Sequence, residues 1–179
     1  KREEKLDLKD VPETKALYFG DWRAPEQFTA DVIKIIGDLV LLNETWFYPT
    51  SGGQLNDIGM IDNIPVLEVF KQGPHIIHKL QNEPKFKVGS KVKCSIDMER
   101  RKQLAQHHTS THIINAATRR IMGNHINQAG AKKTVEKGSI DVTHYASLTD
   151  EELLKIEKEA NKIVNENIPV HKSFMPRDE

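Results

Sequence analysis

Lys91-Val92-Lys93-Cys94-Ser95-Ile96-Asp97 is the junction on which the fold turns. Val92, Cys94 and Ile96 alternate with Lys91, Lys93 and Ser95, a period of two that puts apolar side chains on one face of a strand. Asp97 then offers an N-cap, and the residues beyond it change to steps of three and four. A β part therefore ends near Ile96 and a helix begins at once. The helix is predicted over residues 97–122, closing at Gly123 in the left-handed conformation. Leu104, His108, Thr111, Ile114, Ala117 and Ile121 form its expected inner stripe.

Upstream of this junction, short apolar runs at 28–36, 39–42, 66–70 and 76–80 are separated by Gly37-Asp38, the stretch 49–59, Gly73-Pro74 and Gly89-Ser90. Strands punctuated in this way predict a small antiparallel barrel. Residues 1–20 read as a lead-in strand around Leu17-Tyr18-Phe19-Gly20 after a loose start, with Pro12 breaking any helix. Downstream, residues 139–145 are expected to be extended. Thr149 and Glu152 have the spacing of a capping box ahead of an amphipathic helix bearing Leu153, Ile156, Ala160 and Ile163. A last strand is expected to begin at Ile168-Pro169-Val170. The fold class is therefore α+β: a small antiparallel barrel domain over 1–96, then a two-layer α/β domain over 97–179.

A chain of 179 residues buries roughly two-thirds to three-quarters of its unfolded surface, enough for a real core. Its 26 basic residues balance 26 acidic ones, and no apolar run approaches the ~18 residues of a membrane span. No membrane partner or secretion signal is indicated. The single cysteine, Cys94, excludes an internal disulfide and fits a reducing compartment; a cytoplasmic setting is expected, though one cysteine does not single it out. Its place on the apolar face of the strand marks it as a packed thiol rather than a nucleophile. Basic residues gather on both sides of position 108: Lys85, Lys87, Lys91, Lys93, Arg100, Arg101 and Lys102 before it, and Arg119, Arg120, Lys132, Lys133 and Lys137 after it. They read either as a basic face for an RNA partner or as an ordinary solvated surface.

Within the predicted helix stands His107-His108-Thr109-Ser110-Thr111-His112. His108 and His112 are one turn apart and project from one face, as two ligands of a single metal must. Thr109 occupies the position where a zinc protease has its general-base Glu, which argues against that chemistry. Ser51-Gly52-Gly53-Gln54 reads as a tight turn between strands or as a place where the backbone closely approaches a ligand.

Four ordered blocks resemble the editing domain of alanyl-tRNA synthetases and the freestanding AlaX-type editing proteins. They are Pro49-Thr50-Ser51-Gly52-Gly53-Gln54-Leu55-Asn56-Asp57-Ile58-Gly59, Arg100-Arg101, His108-Thr109-Ser110-Thr111-His112-Ile113, and Gly123-Asn124-His125-Ile126-Asn127-Gln128-Ala129-Gly130. Details around Leu17-Tyr18-Phe19 and Gln128-Ala129-Gly130-Ala131 are closer to the archaeal form. The resemblance implies hydrolysis of Ser-tRNA(Ala) or Gly-tRNA(Ala), acting on the 3′ end of tRNA(Ala). It also implies a parent chain with aminoacylation and C-terminal domains. By the same resemblance His108 and His112 are zinc ligands, Thr111 and Gln128 are pocket residues assigned to catalysis, and Gly52, Gly53 and Gln54 bind substrate. The family completes its zinc site with a Cys-x-x-x-His pair farther along. Since the chain stops about where that segment would start, the expectation is a fragment with an incomplete site. His144 or His171 as a third ligand finds no support in spacing. Ala131 stands where many bacterial relatives have Ser, so no polar contact is expected from it.

Overall fold

The computed structural model describes residues 5–19 and 23–169. The elements are β1 (Lys15–Ala16), β2 (Gln27–Ile36), β3 (Leu39–Leu42), β4 (Glu44–Thr45), β5 (Gly59–Ile61), β6 (Ile64–Gln72), β7 (His75–Leu80) and β8 (Lys91–Ile96). They are followed by α1 (Met98–Met122), β9 (Gln128–Lys133), β10 (Gly138–Val142) and α2 (Asp150–Asn165). The chain is α+β, as predicted, and divides into two compact units. One comprises Lys1–His108 and Ala131–Ser139; the other comprises Thr109–Gly130 and Ile140–Glu179.

The first unit is built on a closed barrel in the order β2-β3-β7-β6-β5-β8, with antiparallel pairing throughout. In β8 the alternation is realised as read: Val92, Cys94 and Ile96 are buried while Lys91 and Lys93 are exposed. Burial pushes the Cys94 thiol up to about 12, which leaves it inert at neutral pH. β3 and β7 are buried on both faces, because Leu41 and Ile77 turn away from the interior and pack with Leu8 in a second cluster. The Gln72 amide fixes this cover, accepting from Leu6 N–H at 2.9 Å and donating to Leu6 C=O at 2.7 Å. The expected loose start therefore gives way to a packed segment from Leu6 onward. The first strand also comes earlier than expected, at Lys15–Ala16, paired in parallel with β4. Gly20 lies outside the described residues.

His78 sits within the barrel core, edge-on to Phe47. Its Nδ1–H donates to Val40 C=O at 3.1 Å, and its Nε2 accepts from the Thr45 hydroxyl at 2.9 Å. The neutral ring is thus fully satisfied. Burial lowers its pKa from 6.5 to about 4. The unfolded chain therefore binds a proton that the folded chain refuses, and stability falls as pH drops below about 6.5 until the folded ring titrates near 4. Between pH 7 and pH 5 this ring alone should remove about 2 kcal/mol. Urea unfolding of the wild type and of His78→Gln at the two pH values tests it; an equal loss in both would assign the effect to other groups.

The helix begins as predicted, with Asp97 Oδ1 accepting from Arg100 N–H at 2.9 Å, and ends at Gly123 with φ +109°. Its inner stripe differs from the expected one. Arg101, Leu104, Thr111, Ala117 and Thr118 are buried, whereas Ile114 and Ile121 are exposed. The stripe includes polar side chains, among them Arg101, described below, and Thr118, whose hydroxyl donates to Ile114 C=O at 2.7 Å.

In the second unit, the capping box at Thr149 and Glu152 starts α2, and Ile156 is its buried residue. Leu153, expected on the apolar face, is exposed. Arg120 pairs with Glu159 at 2.8 Å, joining α1 to α2. Gln128 opens strand β9, which pairs with β10. Ile168 and Pro169 are not in a strand, and Val170 lies outside the described residues. No helix among the described residues is long and apolar enough to cross a membrane.

Candidate functional site: a glycine turn and a helix histidine

The loop between β4 and β5 is held at its base before it reaches the site. Asp57, fully buried, accepts from Tyr48 N–H at 2.7 Å and returns its own N–H to Tyr48 C=O at 3.0 Å. The Arg101 guanidinium closes on the same carboxylate, Nε–H donating to both oxygens at 2.9 Å, and also donates to Trp46 C=O. Arg100 reaches the Asn56 carbonyl from its Nε and Nη2 at 3.2 and 3.1 Å. Within this frame the Thr50 hydroxyl donates to Asn56 Oδ1 and accepts from Asn56 N–H, both at 3.2 Å.

At the tip, Ser51 and Gln54 exchange backbone hydrogen bonds at 3.1 and 2.9 Å across Gly52 and Gly53. Both glycines have positive φ, +56° and +76°, as a two-residue type I′ turn requires. The tight turn is therefore realised, and the close backbone approach is to β9. A Cβ on Gly53 would stand 2.1 Å from Ala131 C=O. Lys133 N–H donates to Gly53 C=O at 2.7 Å and Leu55 N–H to Lys133 C=O at 3.2 Å, so the loop adds itself to the strand.

This turn aims Gln54, 4% exposed, at the helix. His108 Nδ1–H donates to Gln54 Oε1 at 2.8 Å, which leaves the ring's lone pair on Nε2. Metal-ligating histidines have this arrangement, in which an outer acceptor fixes the tautomer and orients the ring. Gly52 lies beside the same ring; a Cβ there would meet His108 Cε1 at 3.6 Å. Gly52, Gly53, Gln54 and His108 are thus brought together. His107 is committed elsewhere, donating Nδ1–H to Thr134 C=O at 2.7 Å and accepting from Gln103 Nε2 at 2.9 Å.

The other sequence-derived candidates belong to the second unit. Thr111 is on the buried stripe of α1, His112 is exposed one turn beyond His108, and Gln128 is exposed at the start of β9. His144 faces His125, with Nδ1 and Nε2 2.9 Å apart in stacked rings. His171 lies outside the described residues. Among the described residues no group of three or more His, Cys, Asp or Glu side chains is placed to hold a metal. His108, with Nδ1–H on an outer acceptor, has the tautomer that a ligand through Nε2 needs.

Lys133, one of the basic residues expected on a surface, is not on one. Lys133 is 1% exposed, and its Nζ donates to Gly52 C=O at 2.8 Å. The available signal was the Lys132-Lys133 pair in an extended segment, where successive side chains point to opposite faces and one must face inward.

Residues 9–100, which include the barrel and the glycine turn, match the family of tRNA synthetases class II (A), and the chain belongs to it. Archaeal alanine–tRNA ligases are similar over most or all of the chain. That of Pyrococcus abyssi is 41% identical across 100% of this chain and 20% of its own length. That of Methanococcus maripaludis is 41% identical across 95% and 19%, and that of Staphylothermus marinus 43% across 84% and 17%. The chain spans about one fifth of the length of the curated relatives it matches.

Proposed function

We propose that this chain is the editing part of an alanine–tRNA ligase, hydrolysing the ester of Ser-tRNA(Ala) or Gly-tRNA(Ala) and sparing Ala-tRNA(Ala). The observation that carries the reading is the His108–Gln54 hydrogen bond at 2.8 Å, which joins the glycine turn to a ligand-competent imidazole. Similarity to archaeal alanine–tRNA ligases supports the choice of substrate. The need for such chemistry is physical. A pocket that accepts alanine cannot exclude glycine and rejects serine weakly, since one small group is worth ~1–3 kcal/mol, so a second hydrolytic sieve is required.

In this reading His108 and His112 hold zinc through ring nitrogens, with further ligands from outside the described residues. Zinc would supply a Lewis acid for the ester carbonyl or for an attacking water. Gln54 keeps His108 in the tautomer with its proton on Nδ1 and its lone pair on Nε2, the atom that would ligate. Gly52 and Gly53 bring backbone close to the 3′ end of tRNA(Ala), and Thr111 and Gln128 offer a hydroxyl and an amide to the aminoacyl group. The exposed Lys85, Lys87, Lys93 and Lys102 supply positive charge for the RNA backbone. The setting is the cytoplasm, beside the aminoacylation and C-terminal domains of the parent ligase.

The test is deacylation of Ser-, Gly- and Ala-tRNA(Ala) by this chain, alone and within a complete alanine–tRNA ligase, with and without zinc. Hydrolysis of the first two, sparing the third and lost in His108→Ala, is expected in the complete ligase. Its absence in both settings, with tRNA still bound, would replace the enzyme reading by a non-catalytic tRNA-binding module.

A further inference from the structure

Lys133 is buried with its charge. At 1% exposure its ammonium is desolvated, which lowers its pKa below the ordinary lysine value, and it enters no ion pair among the described residues. Packing alone gives no reason for an ammonium here, because an apolar side chain of similar length would fill the volume without desolvating a charge. What the ammonium does have is the Gly52 carbonyl at 2.8 Å. The backbone of the same residue grips the next positions, its N–H on Gly53 C=O at 2.7 Å and its C=O on Leu55 N–H at 3.2 Å. Three contacts from one residue therefore bracket Gln54 on both sides. Gln54 in turn holds the His108 tautomer.

We infer that Lys133 is the positioning residue of the site: its ammonium locks the Gly52-Gly53 turn so that Gln54 Oε1 stays on His108 Nδ1–H and the lone pair of the ring stays on Nε2. The inference deepens the reading of His108 as a zinc ligand and rests on it for its consequence, though the local geometry stands without it. A type I′ glycine turn is intrinsically mobile, since both central residues have wide conformational freedom. Backbone hydrogen bonds to β9 restrain Gly53 and Leu55, while the first glycine carbonyl is held by the ammonium. Without that hold, the turn rotates about Gly52 and Gln54 loses its fixed aim.

The experiment reads the tautomer directly, by ¹⁵N shifts of His108 in the metal-free chain near pH ~8, where an unperturbed imidazole is neutral. The wild type should show Nδ1 protonated and Nε2 unprotonated. Lys133→Met, which keeps the length and removes the donor, should show a mixture of tautomers, as should Gln54→Leu, which removes the acceptor. Zinc affinity should fall roughly tenfold in both, the lower end of what loss of an outer partner costs. A folded Lys133→Met with the wild-type His108 pattern overturns the inference. If Lys133→Met does not fold, Lys133→Leu, which also fills the volume and has no donor, is read by the same criterion. Because the tautomer is measured without metal or tRNA, failure of the hydrolysis reading would leave this result intact, and the reverse holds as well.

Discussion

Arg101→Met is expected to lower the free energy of unfolding by about 3–5 kcal/mol, the cost of removing one partner from a buried ion pair. The magnitude follows from what is left behind. Asp57 is fully buried, and its carboxylate would retain Tyr48 N–H as its remaining donor in the loop frame, with no cation to balance it. Trp46 C=O would lose its guanidinium donor as well. The pair connects the loop of residues 46–57 to the first turn of α1, so the glycine turn should loosen together with the loss of stability. Removing both charges is a different experiment. Asp57→Asn with Arg101→Met leaves no buried charge and should recover part of the loss, because a hydrogen-bonded amide is cheaper to bury than an unpaired carboxylate. Urea unfolding of the two single variants and the double variant gives the coupling between the sites. Additive losses, or a single-variant loss under 1 kcal/mol, would show that the pair is not the brace of this loop.

Arg101 also shows where the sequence was legible and where it was not. Period and punctuation located the long barrel strands, the Asp97 cap and the Thr149 box, because each is decided by residues within a few positions of one another. β5 escaped notice since Gly59-Met60-Ile61 is too short to display a period. β9 escaped because Gln128-Ala129-Gly130-Ala131-Lys132-Lys133 contains no β-branched or aromatic residue, and its pairing with β10 and the glycine loop supplies what propensity does not. The stripe of α1 departs from the expected one for a related reason. Ile114 and Ile121 look like core and Arg101 and Thr118 do not, yet the polar pair has internal acceptors. Arg101 and Lys133, counted toward a basic surface, are both buried. A count of charges cannot register that the partner of one lies 44 residues away and that of the other 81. The glycine turn and the one-turn spacing of His108 and His112 were legible; the hydrogen bond from His108 to Gln54 was not.

The two glycines of the turn should respond very differently to the same substitution. Gly52→Ala places a methyl in ordinary contact with His108 Cε1, 3.6 Å away, and incurs chiefly the left-handed backbone penalty of about 1 kcal/mol. Gly53→Ala incurs that penalty too, and in addition puts its Cβ 2.1 Å from the Ala131 carbonyl oxygen. The obstacle is backbone, so no side-chain rotation relieves it, and the turn must separate from β9. The hydrogen bond from Lys133 N–H to Gly53 C=O then breaks. Steric overpacking of ~1–3 kcal/mol and a lost buried hydrogen bond of ~1 kcal/mol bring the expected destabilisation to about 4 kcal/mol. Denaturant unfolding of the two variants side by side is the measurement, with hydrogen exchange at Lys133 N–H as the local readout. In Gly53→Ala that amide should exchange far faster than in Gly52→Ala. Equal destabilisation of the two variants, with Lys133 N–H still protected, would mean that the turn does not depend on close approach to β9. The chain would then have to restrain Gln54 and His108 by some route other than the strand that lies against its glycines.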